Sequence, residues 1–184
     1  GRKQVTVRQS SGVAIGLVRM LDRCQTRAEA SQEHIADLVE VLDAGLALPP
    51  IDVVEITTSG GGASVGEWVV VDGFHRHSAH IRFGAKRIAI RVVAKGTVDD
   101  AAKLALKANA DPRGLRRSND DKRKAVTMAF AHPDAAKWTH QQIADLCVVG
   151  ADLVRKQLRL AHSYQCALVA IERNIKATAE EFKQ

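Results

Sequence analysis

The residues best suited to chemistry lie in one stretch, Val69-Val70-Val71-Asp72-Gly73-Phe74-His75-Arg76-His77-Ser78-Ala79-His80. An apolar run ends in Asp-Gly and turns at once into a helix. Free backbone N–H groups and the positive end of a helix dipole collect at such a turn, and both suit an anion. Gly73 lets the backbone approach that anion closely. Arg76 adds a fork of donors matched to phosphate oxygens, and His75 and Ser78 add further donors. Asp72 is the carboxylate beside them. Asp72 and Arg76 are the candidate catalytic residues, with Asp72 either holding a metal through water or only shaping the turn and capping the helix. Read by spacing alone, the stretch fits a strand-to-helix turn with a solvated arginine about as well.

A second set of residues suits DNA. Thr139-His140-Gln141-Gln142-Ile143-Ala144-Asp145-Leu146-Cys147 opens on an N-cap residue, with Ile143, Leu146 and Cys147 on one face. Val148-Val149-Gly150 is a short turn. Ala151 to Arg159 forms the next helix, with Leu153, Val154 and Leu158 directed inward. Two short helices with a tight link are the layout of a helix-turn-helix. Ala144 is the small residue the crossing needs. The glycine expected four residues later is replaced by Val148, so the turn is expected to be irregular. Asp152, Arg155, Lys156 and Arg159 point outward toward phosphates and base edges, and Gln141 and Gln142 toward the DNA backbone. The alternative is an ordinary helical hairpin with a solvated basic face.

The elements that must position these groups follow from periodicity. Residues 1 to 12 are polar and basic and read as frayed; Val13 to Leu21 reads as a strand or short helix. Ala28 to Leu42 reads as a helix with Ile35, Leu38, Val39 and Leu42 on one face, stopped after Gly45 by Pro49-Pro50. Ile51 to Ile56 and Trp68 to Val71 read as strands of a hairpin around the Gly60-Gly61-Gly62 turn. A helix from His75 to Phe83 is closed by Gly84, and Ile88 to Val93 is a third strand. Only helices follow: Asp99 or Asp100 to Asn109, Asp120 to Phe130 ended by His132-Pro133, the two of the candidate DNA motif, and a last one toward Phe182. Strands first and helices after give an α+β class: a small mixed-sheet domain over 13–110 and a helical domain over 111–184.

Composition narrows the partners. Lys and Arg number 27 against 21 Asp and Glu, a formal charge of +6, which favours an anionic partner, most often nucleic acid. Aromatics are 4% of residues, so the core must be aliphatic. Cys24, Cys147 and Cys166 are far apart and lack zinc spacing, which suits reduced thiols in a cytoplasmic protein. No apolar run is long enough to insert in a membrane. No signal peptide is visible, although a chain beginning at Gly1 reads as trimmed. The scattered histidines give no metal spacing.

Three segments, in order, resemble the ParB/sulfiredoxin superfamily and its ParB-like N-terminal nucleotide-binding domain. Gly45-Leu46-Ala47-Leu48-Pro49-Pro50-Ile51-Asp52-Val53 resembles the glycine-to-proline segment before a strand. Val71 to Ala79 resembles the Gly-x-x-Arg-x-x-Ala phosphate motif. Asn109-Ala110-Asp111-Pro112-Arg113-Gly114-Leu115-Arg116-Arg117-Ser118-Asn119 resembles the third motif, which closes over a nucleotide. The resemblance implies ATP or CTP with magnesium as ligand. Gly73, His75, Arg76 and Ser78 would face the phosphates, and Asn109 the metal and phosphates. Arg113, Arg116 and Arg117 would clamp from the other side, with Ser118 capping the next helix. Two positions depart from the pattern. Phe74 stands where sulfiredoxins carry a nucleophilic Cys, which excludes sulfinic-acid repair. Ala108 stands where partition proteins place a metal-binding Glu, which weakens magnesium coordination and hydrolysis. The resemblance further implies DNA as a partner, NTP hydrolysis, and a setting in plasmid maintenance. Short plasmid fertility-inhibition factors of this superfamily add DNase activity and inhibition of conjugative transfer, with a DNA-processing or secretion complex as target. The alternative is a non-enzymatic DNA-binding regulator or partition adaptor with a vestigial nucleotide pocket.

Overall fold

The computed structural model describes residues 8–28, 30–108 and 116–165. Five strands form one mixed sheet: β1 Arg8–Ala14, β2 Val18–Arg19, β3 Ile51–Ile56, β4 Trp68–Asp72 and β5 Arg87–Gly96. Their spatial order is β1-β5-β3-β4-β2. β3 pairs antiparallel with β4, the expected hairpin, and parallel with β5. The β-branched residues of β3 and β4 explain these two strands: Val53, Val54, Val69, Val70 and Val71 are all at most 2% exposed. Helices α1 Gln32–Asp43, α2 Phe74–Phe83 and α3 Val98–Ala108 accompany the sheet. α1 packs along α2, and α3 lies against β4. Beyond them come α4 Asn119–Phe130, α5 His140–Cys147 and α6, residues 151–165.

Among the described residues, the buried ones form two clusters. One joins the sheet to Phe74, Val98, Ala101, Ala102 and Ala105. The other joins Leu106 to Ala125, Val126, Ala129, Ile143, Ala144, Cys147 and Val154. Helix α3 therefore serves both cores, and its last turn is the mechanical link between them. Ala125, Ala129 and Ala144 are fully buried, and their small side chains let α4 and α5 approach closely.

Several boundaries differ from the sequence reading, each for a physical reason. Residues 8–12, read as frayed, belong to β1. An edge strand is held by backbone pairing to β5 and needs no apolar alternation to form. Val13 to Leu21 divides between the end of β1, a single-turn 3₁₀ helix and β2. α1 begins at Gln32 rather than Ala28, with the Ser31 hydroxyl accepting from the His34 N–H at 3.2 Å. The residues before it are drawn out to meet α4. β5 runs to Gly96, past the end of its apolar stretch. Leu158, read as inward, is 39% exposed on α6. The helix expected toward Phe182 lies outside the described residues, as do Cys166, Asn109 and Arg113.

The turn after α5 is irregular in a definable way. The Val149 N–H reaches the Ala144 carbonyl at 3.0 Å and the Val148 N–H reaches that of Asp145 at 3.3 Å, the paired bonds that close a helix through a left-handed residue. That residue is Val148, with φ 50° and ψ 59°, the one non-glycine at positive φ among the described residues. A β-branched side chain resists this conformation, and Val148 is 48% exposed, so little packing offsets the strain. Val148→Gly is expected to stabilise the protein by about 1 kcal/mol, a rise of roughly 2–4 °C in Tm by calorimetry.

Candidate functional site

β4 ends at Asp72, which pairs in register with Asp52 of β3. Gly73 then turns the chain with φ 93°. A Cβ at this position would stand 2.7 Å from Ile51 Cγ2 and 3.0 Å from the Arg76 guanidinium, so conformation and space both demand glycine. Phe74, 4% exposed, anchors the start of α2 in the sheet core.

The first backbone bond of α2 runs from the His77 N–H to the Gly73 carbonyl at 2.9 Å. The N–H groups of Phe74, His75 and Arg76 precede it, and no side chain caps them. In contrast, Ser31, Ser118 and Thr139 cap α1, α4 and α5. The start of α2 therefore presents uncompensated donors and the positive end of a dipole.

Arg76 stands directly on this turn. Its Nη1 donates to the Pro49 carbonyl at 3.1 Å and the Pro50 carbonyl at 2.5 Å, and its Nη2 to Asp72 Oδ2 at 3.0 Å. The guanidinium braces the chain before β3 against the start of α2. Three of its five N–H bonds are engaged there. Burial raises the Asp72 carboxyl above its ordinary value, although Arg76 opposes the shift. Beside this pair, Arg91 holds Asp52 through two bonds of 2.6 Å. The resemblance implies magnesium here. Asp72 is the carboxylate of the turn, with one oxygen on Arg76, and no three His, Cys, Asp or Glu side chains gather into a metal cluster among the described residues. These residues do not build a magnesium site by themselves; such an ion would rest mainly on phosphate oxygens.

The remaining expected residues are distributed more widely. His75 turns toward α1: its Nε2 accepts the Ser31 N–H at 3.2 Å, and its ring lies 5.4 Å from that of His34. Ser78 sits half-buried one turn further along α2. Ser118 caps α4, its hydroxyl accepting the Asp121 N–H while Asp121 accepts the Ser118 N–H. The Arg116 side chain is exposed, and its carbonyl accepts from Arg27 at 3.2 Å. Arg117 points to α5, donating to the Cys147 and Val148 carbonyls at 2.9 and 3.2 Å.

Sequence reasoning missed the pair that organises this region. Arg27 Nη1 donates to Asp121 Oδ2 at 3.0 Å with both residues buried, and Asp121 Oδ1 accepts the Ala28 N–H at 2.8 Å. The Ser-x-x-Asp spacing of Ser118 and Asp121 was a readable capping signal. Nothing in the polar run around Arg27 marks it as buried.

Burial, reinforced by His34 and Arg27, lowers the affinity of His75 for a proton. Burial also lowers that of His77, 2% exposed, against the opposing influence of the Val18 backbone. A histidine whose folded pKa lies below its unfolded value of 6.5 stabilises the fold above that pH and loses the contribution as pH falls. Tm is therefore expected to decline between pH 7 and 5, and His75→Gln should make the decline shallower in a pH series of thermal melts.

Against this geometry, the family model of the ParB N-terminal domain matches residues 3–110. The chain belongs to that family. No curated protein matches it. Among solved structures it is similar to the chromosome-partitioning protein ParB from Caulobacter crescentus complexed to the centromeric parS site, at 20% identity and TM-score 0.49, over 89% of this chain and 79% of that one. The same protein complexed with CTP-γ-S aligns at 20% identity and TM-score 0.44, over 90% and 86%. Sulfiredoxin from Arabidopsis thaliana aligns at 22% identity and TM-score 0.39, over 53% of this chain and 96% of that one. The family match thus spans the sheet, α1, α2 and α3, with the start of α2 inside it. The candidate DNA residues lie beyond it. Gln141 donates to Asp145 at 2.9 Å, and the Gln142 carbonyl oxygen accepts the Thr139 N–H at 2.7 Å. Arg155 pairs with Asp152, and Lys156 and Arg159 are exposed on α6. Among the described residues no helix is long and apolar enough to cross a membrane.

Proposed function

We propose that this ParB-family chain binds a nucleoside triphosphate, CTP or ATP, at the start of α2, and DNA through α5 and α6 as a helix-turn-helix. The observation that carries the nucleotide reading is the uncapped N-terminus of α2 beside Arg76. Phosphate oxygens would take the free N–H groups of Phe74, His75 and Arg76 together with the unused guanidinium donors. The family resemblance assigns Asn109, Arg113 and Arg116 to the side of the pocket that closes over the nucleotide. In this proposal residues 13–110 form the nucleotide-binding unit and 111–184 the DNA-binding unit, with the second buried cluster reaching back to Leu106 of α3. On the DNA side, the exposed Lys156 and Arg159 supply phosphate contacts, with Arg155 able to exchange Asp152 for a phosphate.

Hydrolysis of ATP or CTP, cleavage of DNA with magnesium, and a role in plasmid maintenance or transfer inhibition extend this proposal. A second reading, a DNA-binding regulator without nucleotide, is favoured by the bonds Arg76 already makes to Pro49, Pro50 and Asp72. Titration calorimetry with CTP and ATP in magnesium decides between them. One site per chain is expected, weakened about tenfold or more in Arg76→Lys, which keeps the charge but loses the fork. No heat with either nucleotide leaves the regulator. DNA affinity that drops with rising salt, with a shallower slope in Arg155→Ala/Lys156→Ala, tests the DNA half. Phosphate release and relaxation of supercoiled plasmid, each with an EDTA control, test the two enzymatic extensions.

A further inference from the structure

Arg117 belongs to the segment leading into α4, yet its guanidinium lies against a turn 30 residues later in the chain. Nη2 donates to the carbonyls of both Cys147 and Val148, at 2.9 and 3.2 Å. Carbonyls at a helix C-terminus lack partners within the helix and gather negative potential, which a cation relieves. The two carbonyls flank the left-handed Val148, the conformation its β-branched side chain resists. Nη1 is buried with no hydrogen-bond partner while the residue as a whole is half-buried, so the inner edge of the guanidinium rests against the turn. Val148, Val149 and Gly150 in turn form one wall of an open groove of about 730 Å³, whose other side carries Asn119 and Lys122 of α4.

We propose that Arg117 is a positioning residue for DNA recognition: it holds the strained 148–150 turn in its left-handed form and so fixes the angle between α5 and α6. The inference rests on the DNA-binding reading above. It assigns Arg117 to the turn rather than to a nucleotide clamp. A planar fork is required, because one amino group must reach two carbonyls while the other stays buried.

The test is a double-mutant cycle of Arg117→Met and Val148→Gly, with Arg117→Lys as a milder variant should the methionine chain fold poorly. DNA affinity is read by fluorescence anisotropy over a salt series, and the Val149 amide by hydrogen exchange. Arg117→Met is expected to weaken DNA binding about tenfold without changing the salt slope, because no phosphate contact is lost. In the Val148→Gly background, where glycine relaxes the turn, the loss should shrink to about threefold or less. Exchange at Val149 should accelerate in Arg117→Met and recover in the double variant. Equal losses in both backgrounds would show that Arg117 does not act through the turn. A salt slope reduced by about one would show that it touches a phosphate directly. Weakened CTP binding with unaltered exchange at Val149 would return it to the nucleotide. If the wild-type chain binds no DNA, the DNA-binding reading fails by itself, and the exchange data still decide whether Arg117 holds the turn.

Discussion

Asp121→Ala is expected to cost about 3–5 kcal/mol, the loss typical of breaking a buried ion pair from one side. The carboxylate accepts from Arg27, from the Ala28 N–H and from the Ser118 N–H, so its removal takes an acceptor from three donors at once. Arg27, 8% exposed, cannot return its charge to water without unpacking the segment before α1. Against a total stability of roughly 5–15 kcal/mol this is a fifth or more, visible as a large drop in the urea midpoint. The pH dependence has a definite sign. Burial alone would raise the Asp121 carboxyl, but the Ala28 and Ser118 N–H groups and Arg27 outweigh it and hold the carboxyl below its ordinary 3.8. A group depressed in the folded state stabilises above its unfolded pKa and ceases to as pH falls through the folded one. The wild type should lose this contribution below about pH 4, and Asp121→Ala should lack that part of the acid transition.

Gly73→Ala is expected to cost about 2–5 kcal/mol, from left-handed strain of ~1–2 and overpacking of ~1–3. The new methyl group would meet Ile51 Cγ2 at 2.7 Å and press on the Arg76 guanidinium. Gly84→Ala isolates the two contributions. Gly84 has a similar φ of 82°, with nothing within 4 Å of an added Cβ. It should show the strain alone, about 1 kcal/mol, in parallel urea titrations. Equal costs at the two positions would mean that Gly73 is needed only for its backbone angle.

The parts of the fold legible in the sequence are those where local pattern and tertiary role agree. β3 and β4 are β-branched and central, so their pattern and their burial coincide. Gly73 and Gly84 bracket α2 as glycines at left-handed positions do. The polar β1 was not legible because an edge strand depends on a partner's backbone. The start of α1 was misplaced because Arg27 and Ala28 are held by Asp121, some 93 residues away in the chain. Leu158 continues the apolar period of α6, but no described core reaches it.

Within the candidate site, the sequence located the backbone and not the side-chain directions. The turn at Asp72-Gly73 and the helix behind it follow from residue type. An arginine reaches many partners, and spacing does not choose among them. Arg76 settles on the prolyl carbonyls and Asp72, and Arg117 on the end of α5. His75 turns its ring to the Ser31 N–H for the same reason, since an acceptor near a helix start is drawn to an unsatisfied donor.

That the first turn of α2 receives a polyphosphate is the central claim. Its most direct test is a ¹⁵N spectrum of the labelled protein titrated with CTP and with ATP in magnesium. Saturable shifts are predicted for the amides of Gly73, Phe74, His75 and Arg76 with at least one nucleotide, with little change at the capped start of α5. Amides of Phe74, His75 and Arg76 that stay in place at saturating nucleotide would contradict it, leaving Arg76 a brace between two stretches of the chain and α2 an ordinary helix.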